Sequence, residues 1–211
     1  MSLLNLQALR ESPLMSEPFE FVVTSGLLQA EARGELDRDF PRMDQPGLFP
    51  VSELTYGPSF AQLLAELQGP DLTLAMSEKF GMDLVPLPTI VTVRGRCRIR
   101  DGKIHTDATW KVVSALLYLN QDWESEGGRL RLLRSENLDD VVTEIPPRWG
   151  TYLAFRRGER SFHGHKPFEG QRRMIQVNWC TGQGPIDREI ARHRRSARVK
   201  RLFSFLPAGD Y

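Results

Sequence analysis

The chain has 211 residues, 40% hydrophobic and 26% charged, with a formal net charge of +1. That is enough length for one domain with a real core, and the balance excludes a disordered chain or a protein built as a whole to bind polyanions. No apolar run approaches the ~20 residues of a membrane-spanning helix, and the two cysteines, Cys97 and Cys180, exclude a disulfide scaffold. Both read as reduced thiols of a cytoplasmic protein. Asn5, Gln7, Arg10 and Glu11 interrupt the segment from Met1 to Pro13, so it does not read as a signal peptide.

The first stretch, 1–84, reads as a helical support with one strand. Phe19 to Val23 is strand-like, and Ser25 caps a helix expected to run to about Phe40, where Pro41 helps end it. Ser59 opens a second helix, Phe60 to Gln68, with Phe60, Leu63, Leu64 and Leu67 on one stripe. Asp71 is positioned to cap a third, burying Leu72, Leu74, Met76 and Phe80. From 85 to 182 the pattern changes to alternation. Strands are expected at Thr89–Val93, Val112–Leu119, Arg129–Leu133, Tyr152–Phe155 and Met174–Trp179, separated by Asp101-Gly102, Gly127-Gly128, Pro146-Pro147, Gly158 and Gly170. Short strands at this spacing predict an all-β core with flanking helices, a jelly roll backed by the N-terminal helices. The last stretch, 183–211, reads as a basic helix from Pro185 to about Phe205, carrying Arg192, Arg194, Arg195, Arg198, Lys200 and Arg201. It reads first as a solvated helix, and alternatively as a docking face for an anionic partner.

His105 and Asp107 stand two residues apart, the spacing that puts both on one face of a strand. A second imidazole from a distant strand completes a 2-His-1-carboxylate set, which binds Fe(II) on one face and leaves the other open. His163 and His165, also two apart, compete for that place. A cation about ten residues beyond would clamp an acid in the same cavity, which predicts a mononuclear iron oxygenase fed by a 2-oxo acid. Arg172 and Arg173 compete here. Successive strand residues face opposite sides, and Arg173 is preferred because Ile175, Val177 and Trp179 would share its face as an apolar cavity wall. Tyr118 is placed to meet the same carboxylate, with Ser114 four residues earlier on its face. Arg94, Arg96, Arg98 and Arg100 also fall on one face of an alternating strand, one of them a candidate for substrate.

In order and content, Ile104-His105-Thr106-Asp107, Leu117-Tyr118-Leu119-Asn120, Asp122-Trp123, Gly127 to Leu132, Pro147-Arg148-Trp149-Gly150 and His163 through Pro167 to Trp179 resemble the Fe(II)/2-oxoglutarate-dependent oxygenases of the prolyl 4-hydroxylase-like group. The resemblance covers about Thr89 to Trp179. It implies a double-stranded β-helix (jelly roll or cupin-like) with iron held by His105, Asp107 and His163, the proline four residues on selecting His163 over His165. It also implies 2-oxoglutarate with its far carboxylate on Arg173 and Tyr118, O₂ as oxidant, ascorbate as a candidate stimulant, and Trp179 six residues past Arg173. In the same family the cation often stands two residues after the glycine, which would be Arg172.

The function expected is hydroxylation of a C–H bond in a small molecule or biosynthetic intermediate, with release of succinate and CO₂. The alternatives are a peptidyl-prolyl hydroxylase and a non-catalytic cupin-like metal-binding protein. A small-molecule partner is expected, with no nucleic acid and no membrane span. The sequence leaves oligomeric state open.

Overall fold

Alternation in the second stretch resolves into two antiparallel sheets in a computed structural model, which describes residues 2–203, with side chains as far as Arg195. The larger sheet joins β1 (Phe21–Thr24), β7 (Tyr152–Arg156), β4 (Lys111–Tyr118), β9 (Gly170–Cys180), β3 (Thr89–Cys97) and β2 (Phe49–Pro50), in that spatial order. The smaller has β6 (Val141–Ile145), β5 (Leu130–Leu133) and β8 (His163–Gly164). The helices are α1 (Leu6–Glu11), α2 (Arg33–Asp39), α3 (Pro58–Leu67), α4 (Pro70–Phe80) and α5 (Gln183–Phe203).

Period-2 alternation gives the large sheet two apolar faces with different partners. Val93, Leu117, Ile175, Val177 and Trp179 pack outward, in one core with Phe60, Leu63 and Leu67 of α3 and Leu72 and Met76 of α4. Leu116, Tyr118, Leu153, Phe155 and Met174 face inward and share a second core with Leu130 and Leu132 of the small sheet. Burying each such side chain contributes about 1.5–3 kcal/mol, so both faces of the central strands are committed and register slip is costly. The result is a double-stranded β-helix backed by helices, as expected.

Several boundaries differ for local reasons. The helix expected from Ser25 begins only with a 3₁₀ turn at Ala30 followed by α2. Upstream, Leu27 N bonds to Gly150 O, Asn5 N bonds to Leu27 O, and Leu28 bridges Leu4, so that backbone is already engaged. Asn5, accepting from Ala8 N at 3.3 Å, caps a helix the sequence reading did not include. Pro70 at the first turn, not a capping Asp71, opens α4. Strands β2 and β6 were not anticipated, whereas β8 falls where a strand carrying His163 was expected. The first is two residues long, and β6 is half-exposed along most of its length.

The register of β3 on β9 shifts between Arg94↔Met174 and Arg96↔Gln171, three residues of β9 spanning two of β3. Arg94 and Arg96 therefore do not share a face as regular alternation would require. Arg98 and Arg100 lie beyond the strand's end. At the far terminus α5 confirms a C-terminal helix, but the side chains of Arg198, Lys200 and Arg201 and the expected end at Phe205 lie outside the described residues. Cys97 and Cys180 are free and buried. Among the described residues no helix is long and apolar enough to cross a membrane.

Candidate metal and cosubstrate site

After β3 the chain reverses at Asp101-Gly102. Asp101 accepts from Arg98 N at 3.0 Å and pairs with Arg94 at 2.7 Å. Gly102 has φ +84, and a Cβ there would overlap the His165 imidazole. Only glycine allows both the backbone turn and the close approach. His165 N bonds back to Gly102 O at 2.9 Å. Beyond the turn, His105 and His163 exchange two backbone hydrogen bonds of 3.0 Å. His105 thus sits at a single bridge and Asp107 in the coil that follows, not in a regular strand as their spacing suggested.

This arrangement converges His105, Asp107 and His163, whose potential ligand atoms all lie within 4.8 Å of one another. Asp107 and His163 are buried and His105 is exposed, so the set has a closed side and an open one. The His105 and His163 rings lie 4.3 Å apart, and Phe155 packs against His163 at 4.8 Å. His163 Nδ1 faces Ser161 O at 2.9 Å. A donor Nδ1–H fixes the tautomer and leaves Nε2 as the ligating nitrogen. Burial drives the His163 pKa down to about 4, which keeps the ring neutral and able to donate a lone pair. Burial would raise Asp107, but Lys111, His163 and the Ser114 hydroxyl outweigh it and hold the carboxyl at about 2. Lys111 Nζ lies 2.7 Å from Asp107 Oδ1, and Ser114 Oγ donates to Oδ2. Two imidazoles and a carboxylate on one side, with the other side open, fit an octahedral Fe(II) centre.

The second charged group inside the sandwich is Arg172, only 3% exposed. Its Nε donates to Gly128 O at 2.8 Å, its Nη2 lies 3.2 Å from the Tyr118 hydroxyl, and its guanidinium lies over the Tyr118 ring at 5.1 Å. Burial raises the Tyr118 pKa, so the phenol stays a hydrogen-bond donor. His165, buried beside Arg172 and pushed down to about 4 by burial and that cation, is neutral too. It stands outside the convergent triad.

Four expectations about the cosubstrate site need correction. Arg173 points outward, paired with Asp37 at 3.1 Å and over the Phe40 ring at 4.8 Å. Trp179 shares that outer face and donates Nε1–H toward Thr73 Oγ1 at 3.4 Å, deep against α4. The apolar run beside Arg173 belongs to the helix-packed core, not to a cavity wall. Ser114 is occupied with Asp107 instead of sitting beside Tyr118's partner. Sequence reasoning missed Lys111 and Arg157, the latter donating Nε–H to Asp107 O at 3.2 Å. Neither falls in a pattern that marks it.

Residues 97–181 match the sequence profile described as the 2OG-Fe(II) oxygenase superfamily. That match spans the triad and Arg172 together. Over that stretch the β core is similar to the 2OG-Fe(II) oxygenase superfamily.

The chain also resembles solved structures in fold. A prolyl-4-hydroxylase from Pseudomonas putida is 20% identical, with 84% of this chain and 97% of that one covered at a TM-score of 0.55. HygX from Streptomyces hygroscopicus, with nickel and 2-oxoglutarate bound, is 16% identical over 76% of this chain and 81% of its own, with a TM-score of 0.50. The viral collagen prolyl hydroxylase vCPH of Paramecium Bursaria Chlorella virus-1, in complex with 2OG, is 13% identical over 77% and 96%, also at 0.50. At these identities the likeness speaks to the double-stranded β-helix alone. No curated protein matches the sequence significantly.

Proposed function

We propose that the protein is an Fe(II)- and 2-oxoglutarate-dependent oxygenase that hydroxylates a C–H bond of a small molecule, with His105, Asp107 and His163 as iron ligands and Arg172 with Tyr118 as the seat of the cosubstrate's far carboxylate. The observation carrying this reading is the pairing, inside one sandwich, of the convergent triad with a buried guanidinium and phenol. Fe(II), 2-oxoglutarate and O₂ supply the oxidising chemistry when bound, giving succinate, CO₂ and a hydroxylated product.

The chain's own residues bind, orient and exclude water. Lys111 and Ser114 fix the Asp107 carboxylate from behind, and Ser161 O fixes the His163 ring. Arg172, desolvated and already oriented by Gly128 O, offers a planar cation that matches a carboxylate. Tyr118 adds an O–H donor at the same place. Residues 1–84 act as support for this core.

The likeness to prolyl hydroxylases supports the peptidyl-prolyl reading as the second. The test is to incubate enzyme, Fe(II) and 2-oxoglutarate with small-molecule panels and, separately, with proline-rich peptides. Substrate-dependent succinate and gain of one oxygen atom in a small molecule support the first reading. The same signals from peptides alone would replace it.

A further inference from the structure

On the opposite face of the large sheet from Arg172, two cavities of about 680 and 330 Å³ open side by side. They share the wall formed by Arg38, Phe40, Arg42, Met43 and Asp44. None of the residues lining either cavity belongs to the triad or to the Arg172–Tyr118 pair. The larger compartment mixes apolar and aromatic side chains, Phe40, Met43, Phe49, Leu54 and Tyr56, with charged ones, among them Asp39, Asp44 and Glu53. The smaller is polar and carries four guanidinium groups, Arg38, Arg42, Arg96 and Arg173. Asp37 and Asp44 line it as well, and Asp39 of the adjoining compartment pairs with Arg38.

Three local features build this arrangement. The register shift in β3 and β9 brings Arg96 to the outer side next to Gln171 and Arg173, while Arg94 stays with Asp101. Gly95 lets Met43 rest on the strand, since a Cβ there would approach Met43 Cβ to 2.6 Å. That contact holds the 41–44 segment, and with it Arg42, beside Arg96. Arg173 is committed to Asp37 and Arg38 to Asp39. Arg42 and Arg96 are exposed and have no carboxylate partner among the described residues. Two guanidiniums without an ion-pair partner among the described residues, at the end of a trough with an apolar and aromatic side, complement a ligand with an aromatic or aliphatic body and an anionic head.

We propose that this two-compartment cleft is a binding site for a small amphipathic organic anion, separate from the metal and 2-oxoglutarate site. Arg42 and Arg96 hold the head, and the Phe40, Met43 and Tyr56 side takes the body. The proposal does not depend on which substrate the oxygenase uses.

Anilinonaphthalene sulfonate, an aromatic anion whose fluorescence rises in apolar surroundings, is a suitable probe of the folded full-length protein. The expected result is saturable binding to one site, competed by inorganic pyrophosphate and weakened about tenfold or more in an R42A/R96A double variant, the loss of two charge-assisted hydrogen bonds. Met43→Glu, which sets a carboxylate in the shared wall, weakens the probe as well. In both variants 2-oxoglutarate affinity, measured separately, stays at the parent value. Probe binding that is unsaturable, indifferent to both substitutions, or displaced by 2-oxoglutarate would overturn the proposal.

Discussion

Replacing Arg172 tests where the cosubstrate carboxylate binds. In the protein its guanidinium is almost fully buried, bonded to Gly128 O and the Tyr118 hydroxyl. A 2-oxoglutarate carboxylate arriving there would make a desolvated, charge-assisted contact. Truncation to alanine leaves that carboxylate buried and unpaired, at a cost of about 3–5 kcal/mol. The corresponding loss of affinity is roughly 100-fold to 1000-fold or more. Arg172→Lys keeps a charge but not the planar fork, and should fall between parent and alanine variant. Arg173 gives the contrast. Its pair with Asp37 is partly solvated, at 25% and 20% side-chain exposure, and such pairs contribute about 0–1 kcal/mol. Arg173→Ala should therefore keep 2-oxoglutarate affinity within about fivefold. Calorimetric titration of 2-oxoglutarate into Fe(II)-loaded protein under anaerobic conditions measures all three, with circular dichroism confirming that each variant is folded. A loss confined to Arg173→Ala, with Arg172→Ala unaffected, would refute the assignment.

Other consequences are open to measurement. Trp179→Phe removes the Thr73 hydrogen bond and part of a buried ring, and should cost about 1–3 kcal/mol in denaturant unfolding while leaving 2-oxoglutarate affinity unchanged. A drop in that affinity without a drop in stability would put the indole back in the cosubstrate site. Gly102→Ala strains a positive-φ turn and collides with His165, so metal affinity should fall at least about tenfold, the loss read by metal titration. Unchanged affinity would show that the turn does not position His105 and Asp107. His163 and His165 stay neutral in the fold down to about pH 4, whereas an unfolded histidine titrates near 6.5. Between those values the unfolded chain binds more protons, so chelator-stripped protein should lose stability as pH falls from about 6.5, with the imidazoles' share of the loss complete at about 4. Asp107, held at about 2, keeps its own stabilisation down to about pH 4 and loses it below. Urea midpoints across this range check both, and a flat profile between pH 6.5 and 4 would contradict buried, neutral imidazoles.

The β core was legible because its strands carry unambiguous alternation, as in Val112 to Leu119, and its turns carry Gly and Pro. The triad was legible because few residue types ligate iron and their order along the chain is informative. What misled was face assignment. Ile175, Val177 and Trp179 look like a cavity wall in one dimension, but a sheet covered on both faces has two apolar sides, and theirs packs on α3 and α4. The inner face is the one that mixes Met174 with Tyr118, Arg172 and Asn178. The register shift that separates Arg94 from Arg96 has no sequence signature beyond a glycine between them. Lys111 reaches Asp107 because β4 begins where it does, which spacing alone does not fix.

The most direct test of the account loads protein anaerobically with Fe(II), adds 2-oxoglutarate and follows the weak visible metal-to-ligand charge-transfer band. The band should form in the parent and in His165→Ala, vanish in His105→Ala, Asp107→Ala and His163→Ala, and require far more 2-oxoglutarate in Arg172→Ala than in Arg173→Ala. A folded, iron-loaded parent that shows no band, or a band that survives loss of His163 but not of His165, would contradict the central claim.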